Sequence, residues 1–270
     1  MAQRTPPSGA DDPQHPLPDT PAVRRLVGVG VGPGNPDLVT LAAVRELRDA
    51  DVILVPATEA SGSGPGRAET IVRAVCPDAA AALRRVPFSM ADRRGVTDRR
   101  REAWQVSAAA AVEAYAAGAA TVVFATVGDP SVYSTFSYLA AHVTTTLPDV
   151  NVHVIPGITA MQALAAASRT PLVEGTEVLT LVPYTAGHDT LRAALDVADT
   201  VVVYKAGRHL PDVTAQLREH GRADHAVVGT DISLPDQRIV AVPQLDEETT
   251  LPYFSTILSP PERTHVGGRL

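Results

Sequence analysis

The sequence has one cysteine, few aromatic residues and no long apolar run. Cys76 has no second thiol with which to form an internal disulfide or a structural zinc site. A reducing compartment, and hence a cytoplasmic location, is therefore expected. Because aromatic residues make up 4% of the chain, a flat ligand would be held mainly by aliphatic side chains and backbone. The eight histidines are scattered, so no metal site is predicted.

Positive charge is also scarce. A formal net charge of −7 argues against nucleic acid as the main partner. No stretch approaches ~18 apolar residues, so no membrane-spanning helix is expected. Residues 1–22 are rich in Pro, Asp and Gln and lack the apolar run of a signal peptide, which predicts a disordered tail. Residues 259–270 are predicted to form a second flexible tail.

Between the tails, short apolar runs alternate with amphipathic segments, which predicts an α/β protein with mainly parallel sheets. A break at "TTLPDV", residues 145–150, divides the chain into an α/β domain at 23–147 and another at 148–258. Each is expected to be an α/β/α sandwich, with ligands bound in the cleft between the two domains. The last two strand patterns follow each other without a helix and predict an antiparallel hairpin.

The stretch "VGVGPGNPDLVT", residues 29–40, looks like a nucleotide-binding glycine loop. However, a dinucleotide fingerprint needs a third glycine, and the required positions are Pro33 when counted from Gly28 and Asn35 when counted from Gly30. No Lys-Ser/Thr pair follows, which excludes a P-loop. The prolines of the loop also remove amide donors that a phosphate would need. The residues alone therefore predict a tight turn between a strand and a helix.

Five motifs, in order, resemble those of the tetrapyrrole methylase family and span about residues 24–258. They are "GVGVGPGNPDLVTLAAVRELRDADVILVP", "VGDPSVYSTFSYL", "VIPGITAMQALAA", "TVVVYKAGRHL" and "GTDISLPDQRIV". Within the family, "GDPSVYSTFSYL" and "YKAGRHLP" are most similar to the branch that methylates C-20 of precorrin-2 or of its cobalt form, cobalt-factor II.

The resemblance implies a two-domain homodimer that binds S-adenosylmethionine between its domains and a tetrapyrrole beside it. The implied reaction methylates the C-20 meso carbon of precorrin-2 or cobalt-factor II, giving precorrin-3A or cobalt-factor III in cobalamin biosynthesis. Two alternatives stay open: methylation of another corrin position by the same fold, and a nucleotide-binding regulator without chemistry. The failed nucleotide motifs count against the regulator.

The resemblance also implies which residues contact the cofactor. Gly128 would allow the ligand to approach the backbone closely, and at Lys205 a backbone contact is expected rather than a side-chain role. Thr159 could contact the cofactor beside the free amides of a helix start or could simply cap that helix. The full set is Pro33, Val127, Gly128, Asp129, Val132, Thr159, Ala160, Lys205 and Ile232, with Tyr184 as a further candidate for an adenine pocket.

No confident general base is present. If the electron-rich substrate ring attacks the methyl group itself, Asp129, Tyr133 or water could remove the proton afterwards, and Asp129 and Tyr133 are the candidate catalytic residues. Asp129 could instead cap a helix predicted to begin at Ser131.

A polycarboxylate substrate calls for a basic trough, because arginine binds carboxylates through two parallel hydrogen bonds. The segment "ALRRVPFSMADRRGVTDRRREAW" is rich in arginine, although a solvated helix face explains such charges equally well. The candidate substrate-binding residues are Arg84, Arg85, Arg93 and Arg208.

Overall fold

The computed structural model describes residues 23–57, 64–88, 97–246, 248–252 and 254–263, and these residues form two five-stranded sheets. The predicted N-terminal tail lies outside them. The first sheet and its helices comprise β1 (Arg25–Gly30), α1 (Leu41–Arg48), β2 (Val52–Ala57), α2 (Arg67–Val75), β3 (Leu83–Pro87), α3 (Asp98–Ala116), β4 (Thr121–Thr126), α4 (Phe136–Thr146) and β5 (Asn151–Ile155).

The first sheet has the order β3-β2-β4-β1-β5 and is parallel throughout. Helices cover both faces, which explains the continuous apolar runs of its central strands. Leu26 and Phe124 pack beneath α3 and α4, whereas Val27 and Ile53 pack beneath α1 and α2. The prediction of an α/β domain with a parallel sheet is confirmed here.

The second sheet and its helices comprise α5 (Ala160–Ser168), β6 (Leu179–Pro183), α6 (His188–Val197), β7 (Thr200–Tyr204), α7 (Leu210–Glu219), β8 (Val227–Thr230), β9 (Arg238–Ala241) and β10 (Ser255–Ser259). The strand order is β6-β7-β10-β8-β9. Only β6 and β7 pair in parallel, and the other pairings within these strands are antiparallel. The prediction of mainly parallel sheets is therefore wrong for this sheet.

The predicted hairpin of the last two strands is also wrong. β10 lies between β7 and β8, while β9 pairs with the other side of β8. The reason is burial: every residue of β10 is buried, as a central strand requires, whereas β9 is partly exposed, as an edge strand is. Proximity along the chain does not distinguish these two positions.

The predicted domain boundaries need correction at two places. A boundary after residue 147 precedes β5, yet β5 pairs with β1 along its length, so the first sheet extends to Ile155. The predicted flexible tail starts too early as well, because Ser259 is fully buried and Arg263 forms ion pairs with Glu174 and Glu177. Residues 264–270 lie outside the described residues.

Helix α5 connects the two halves. It follows β5 of the first sheet, but its Ala163 and Leu164 pack against Val202 and Leu258 of the second sheet. The other face of the second sheet packs against α6 and α7. No helix within the described ranges is long and apolar enough to cross a bilayer.

Strand β3 was not predicted, and one of its arginines anchors α2. The Arg85 guanidinium donates to the Glu69 carboxylate, with Nε 2.7 Å from Oε2, and Arg73 donates to the same carboxylate at 2.9 Å. Glu69 is 2% exposed. The hydrogen bond from Arg85, helped by Arg73, outweighs burial and holds the pKa of Glu69 below its ordinary value.

Replacing Glu69 by Gln should lower the free energy of unfolding by about 2 kcal/mol at neutral pH, the scale of hydrogen bonds to a charged group. Because the pKa of Glu69 is lower in the folded state, this stabilisation is present above the ordinary glutamate pKa and is lost as the pH falls through the folded value. Urea unfolding at a series of pH values should show that the difference in free energy of unfolding between wild type and E69Q becomes smaller as the pH falls through that window. The exposed Glu113→Gln is the control, and a difference independent of pH would contradict the assignment.

Candidate functional site

The site is built where three neighbouring strands of the first sheet end. β4, β1 and β5 are adjacent and parallel, so their carboxyl ends lie at one edge, where ligands of such sheets bind. Gly30, Gly128 and Gly157 meet there backbone to backbone. A Cβ added at Gly30 would lie 2.5 Å from the Gly128 carbonyl oxygen and 2.7 Å from the Gly157 nitrogen. No side chain fits between these loops.

The loop after β4 is fixed by hydrogen bonds on both sides. Gly128 adopts a φ of +72°, which favours glycine, and its amide donates to the Gly32 carbonyl at 2.7 Å. One Asp129 carboxylate oxygen accepts from the Ser131 amide and hydroxyl, and the other accepts from the Gly157 amide at 2.9 Å. Asp129 therefore ties the loop after β4 to the loop after β5.

The environment of Asp129 favours its charged form. Burial alone would raise the pKa of this carboxyl, but the hydrogen bonds from Ser131 and Gly157 outweigh burial and hold the pKa below its ordinary value. The carboxylate is therefore ionised at neutral pH, with both oxygens already accepting hydrogen bonds.

The start of α5 faces Tyr204, the last residue of β7. Thr159 and Gln162 form a reciprocal capping box, and the Met161 amide donates to the Tyr204 hydroxyl at 3.1 Å. Among the described residues, the Ala160 amide has no hydrogen-bond partner. The first turn of α5 thus leaves one amide for a ligand, fewer than the sequence led us to expect.

Aromatic and cationic side chains meet above this helix start. The Tyr133 and Tyr204 rings are in edge-to-face contact with centroids 5.5 Å apart, and the Lys205 ammonium lies 4.9 Å from the Tyr133 ring centroid. Tyr133 and Lys205 both have left-handed backbone conformations, with φ of 52° and 61°. Such strain persists where the surroundings hold it in place, and it clusters at functional sites.

The loop after β8 joins the second sheet to the first. The Asn35 amide donates to the Ser233 hydroxyl at 3.0 Å. On α2, the Arg67 guanidinium donates to the Asp231 carboxylate at 2.7 Å and lies 3.9 Å from the Phe254 ring centroid. These contacts bring the loops of the second sheet beside the strand ends of the first.

A model of the family described as Tetrapyrrole (Corrin/Porphyrin) Methylases matches residues 25–247, a range that contains every loop described above. The chain belongs to the tetrapyrrole methylase family. It is 34% identical over 245 residues to a precorrin-2 C(20)-methyltransferase from Sinorhizobium sp, covering 88% of this chain and 96% of that protein. It is 28% identical to a cobalt-precorrin-2 C(20)-methyltransferase from Salmonella typhimurium, covering 87% of this chain and 95% of that protein.

A solved tetrapyrrole methylase has a similar fold to this chain. A uroporphyrin-III C-methyl transferase from Thermus thermophilus, complexed with S-adenyl homocysteine, has a TM-score of 0.59 at 22% identity. The match covers 87% of this chain and 97% of that one. At this identity the likeness establishes the shared fold.

In this methylase, most of the predicted cofactor residues lie on neighbouring loops at strand ends. Pro33 is buried in the loop after β1, and the loop after β4 contains Val127, Gly128, Asp129 and Val132. The others follow β5, β7 and β8: Thr159 and Ala160, Lys205, and Ile232. Their cofactor contacts stay predictions, but several of these loops contact one another, at the place where the cleft between the two halves is predicted.

Tyr184 follows β6, whose last residue pairs with Tyr204, but its side chain turns away from this cleft. Its side chain is 1% exposed and lies in the core beneath α6 and α7, on the opposite face of the second sheet from α5. Its hydroxyl donates to Asp212 at 3.2 Å. The predicted adenine pocket therefore cannot use the Tyr184 ring. Ile232, by contrast, packs beside Leu164 on the α5 face, as an apolar wall requires.

The predicted substrate arginines are dispersed. Arg84 and Arg85 lie within edge strand β3 and alternate between its faces, and Arg85 is engaged by Glu69. Arg208 is exposed after β7, which keeps it near the cleft. Arg93 lies outside the described residues. The Arg85 guanidinium already holds α2 through Glu69, and the substrate contacts of Arg84, Arg85 and Arg208 stay predictions.

Both candidate catalytic residues already have contacts within the protein, and a role for either as a base stays a prediction. Asp129 uses both oxygens within the protein, and α4 begins at Phe136 rather than Ser131, so Asp129 braces loops instead of capping a helix. Burial, followed by the proximity of Tyr204, raises the pKa of Tyr133, which disfavours its phenolate.

Several site residues escaped prediction. Gly157 and Tyr204 were quoted in motifs but given no role, and Ser233 and Arg67 act across the two sheets. Several non-glycine residues after β4, β7 and β8 have left-handed backbone conformations, and the sequence gives no reliable sign of this. They are Tyr133, Lys205, Asp231 and Ser233. Among the described residues, no group of three or more His, Cys, Asp or Glu side chains could hold a metal ion.

Replacing Gly157 by Ala should lower the free energy of unfolding by about 1–3 kcal/mol, the cost of forcing an extra methyl group into packed structure. The new Cβ would meet the backbone of Gly128 and Gly30, which cannot move aside. Gly34→Ala is the matched control, because its Cβ would meet the flexible end of Leu234. Equal stability of the two variants in urea would contradict the proposed close packing.

Proposed function

We propose that this protein transfers a methyl group from S-adenosylmethionine to the C-20 meso carbon of precorrin-2. The observation that supports this most strongly is the 34% identity to a precorrin-2 C(20)-methyltransferase across 96% of that protein. The loops that the structure brings together are those that contain the matching motifs.

The cleft suits a methyl donor of the S-adenosylmethionine type. Gly128 leaves its backbone open, because a Cβ there would meet no atom closer than the Thr159 Cα at 3.9 Å, so a ligand can lie against the chain at this point. The unpaired Ala160 amide and the start of α5 suit the carboxylate of an amino acid. Pro33, residues 127–129, Val132 and Ile232 would supply the remaining walls. The bound donor would contribute an electrophilic methyl group on a positively charged sulfur.

The residues of this chain act mainly by positioning. Methyl transfer to carbon is an in-line displacement, so holding the donor sulfur, the methyl carbon and C-20 on one line removes much of the barrier. Asp129 holds the loop after β4 against the loop after β5, and Tyr204 holds the start of α5. Small errors in this geometry would reduce turnover.

The proton that leaves C-20 is assigned to water. Both oxygens of the Asp129 carboxylate already accept hydrogen bonds from the protein, and Tyr133 resists deprotonation. We therefore assign Asp129 to positioning, with Tyr133 forming part of the wall of the cleft.

The Asp129→Asn variant distinguishes positioning from base catalysis. An amide cannot accept at both of its ends, so the brace to Gly157 or to Ser131 is lost. Loss of one hydrogen bond to a charged group should weaken S-adenosylhomocysteine binding by about tenfold. Isothermal titration calorimetry measures this, with the exposed Asp149→Asn as control. Unchanged affinity with lost turnover would favour the base role instead.

The reaction itself is tested by supplying [methyl-13C]-S-adenosylmethionine with precorrin-2 and locating the label by NMR. We expect one new methyl group at C-20. A parallel reaction with cobalt-factor II decides between the metal-free and cobalt-bound substrates. Label at another ring carbon would favour the alternative, methylation of another corrin position. If no methyl group is transferred to either substrate, the proposal is contradicted. The homodimer and the cytoplasmic location remain predictions.

A further inference from the structure

The backbone of Arg67 is fixed against the first sheet. Arg67 is the first residue of α2, directly after Gly66, and a Cβ added at Gly66 would lie 2.7 Å from the Pro56 carbonyl oxygen near the end of β2. The next residue of the helix, Ala68, is buried. The helix therefore begins in close contact with the first sheet, and Arg67 has a fixed position from which its side chain extends.

The Arg67 guanidinium reaches the second sheet at two neighbouring points. It donates to the Asp231 carboxylate at 2.7 Å and lies 3.9 Å from the centroid of the Phe254 ring. Asp231 follows β8, and Phe254 precedes β10. These strands pair antiparallel with Thr230 opposite Ser255, which brings the two contacts together. The Arg67 and Asp231 side chains are 22% and 28% exposed, so water and salt screen this ion pair less than one at the surface.

The loop after β8 depends on support from outside. Asp231 and Ser233 both have left-handed backbone conformations, with φ of 49° and 67°, which cost a non-glycine residue free energy and persist where the surroundings hold them. Each of the two is tied to the first sheet, one by the Arg67 guanidinium and the other by the Asn35 amide. Between the two ties lies Ile232, whose side chain is buried on the α5 face of the second sheet.

We propose that Arg67 is a positioning residue for the methyl donor, acting through Asp231 to hold the loop that contains Ile232. This inference rests on the proposed function, in which the donor lies between loops of both sheets and Ile232 forms one wall. A tie that fixes the spacing of these loops before binding reduces the entropy lost when the donor binds. Loss of the tie therefore weakens donor binding and leaves the chemical step of the bound donor unchanged.

The affinity for S-adenosylhomocysteine, measured by calorimetry, tests this directly. Arg67→Met and Asp231→Asn should each weaken binding by about tenfold, the loss of one hydrogen bond between charged groups. The double variant should bind no more weakly than either single variant, because both changes remove the same interaction. Arg67→Lys should recover part of the affinity. The exposed Arg45→Met and Asp236→Asn control for the loss of one charge and should bind as wild type does.

Steady-state kinetics separates positioning from a purely structural role. At saturating precorrin-2, the two single variants should raise the KM for S-adenosylmethionine by about tenfold while kcat stays within about twofold of wild type, the pattern of lost binding rather than lost chemistry. Urea unfolding establishes that each variant is folded. Asp231→Asn preserves the shape of its side chain, so the test stands even if Arg67→Met does not fold.

Other outcomes overturn the inference. Unchanged S-adenosylhomocysteine affinity in both single variants would show that the pair does not position the donor, and a raised KM for precorrin-2 alone would assign the pair to the substrate. Additive losses in the double variant, or a fall in kcat that Arg67→Lys does not restore, would indicate separate structural effects. A wild-type protein that binds no S-adenosylhomocysteine would instead contradict the proposed function, before any variant is compared.

Discussion

The close approach of Gly30, Gly128 and Gly157 is the constraint on which the site depends. Three loops that leave neighbouring parallel strands can touch through their backbones because Gly30 and Gly157 have no Cβ, and because Gly128 adopts the left-handed φ that its loop requires. Asp129 then fixes the contact, since its carboxylate bonds to both sides of the junction. Loops held in this way cost little to order when a ligand arrives, because their conformational entropy has already been lost during folding.

Helix α5 fixes the position of the second sheet's loops relative to this glycine junction. The helix starts one short turn after Gly157, yet its apolar face is buried against the second sheet. Any change at the glycine junction would therefore displace the first turn of α5 and the Tyr204 hydroxyl bonded to it. Contacts of Arg67 and Asn35 with the loop after β8 close the cleft from the other side. The two sheets can differ in topology because only their strand ends need to meet.

The predictable parts of this architecture are those encoded locally. Apolar runs identified four of the five strands of the first sheet, and ordered motifs identified the family and most of the loops of the cleft. Edge strand β3 was missed, because its two arginines interrupt the apolar pattern. The order of strands in the second sheet was missed, because the position of β10 depends on burial from both faces and not on its neighbours along the chain. The side-chain contacts of Arg85 and Tyr184 could not be predicted for a related reason: their positions place them near the motifs, but the Arg85 guanidinium bonds to Glu69 and the Tyr184 ring is buried beneath α6 and α7.

The same distinction applies to the chemistry. The Gly-Asp-Pro motif pointed to Asp129, but whether that carboxylate acts as a base or a brace depends on the Gly157 amide, which comes from a distant part of the chain. Lys205 was expected to contribute a backbone contact, and only the fold shows its ammonium facing the Tyr133 ring. Long-range contacts therefore decide the roles of residues that local patterns can merely nominate.

The central claim is that the methyl donor lies against the glycine junction at the ends of β1, β4 and β5. A crystal structure of the protein with S-adenosylhomocysteine measures this directly. The account predicts density for the ligand in contact with the loops containing Pro33, Gly128 and Thr159, with its carboxylate at the Ala160 amide. Density at another surface, with these loops contacting solvent alone, would contradict it.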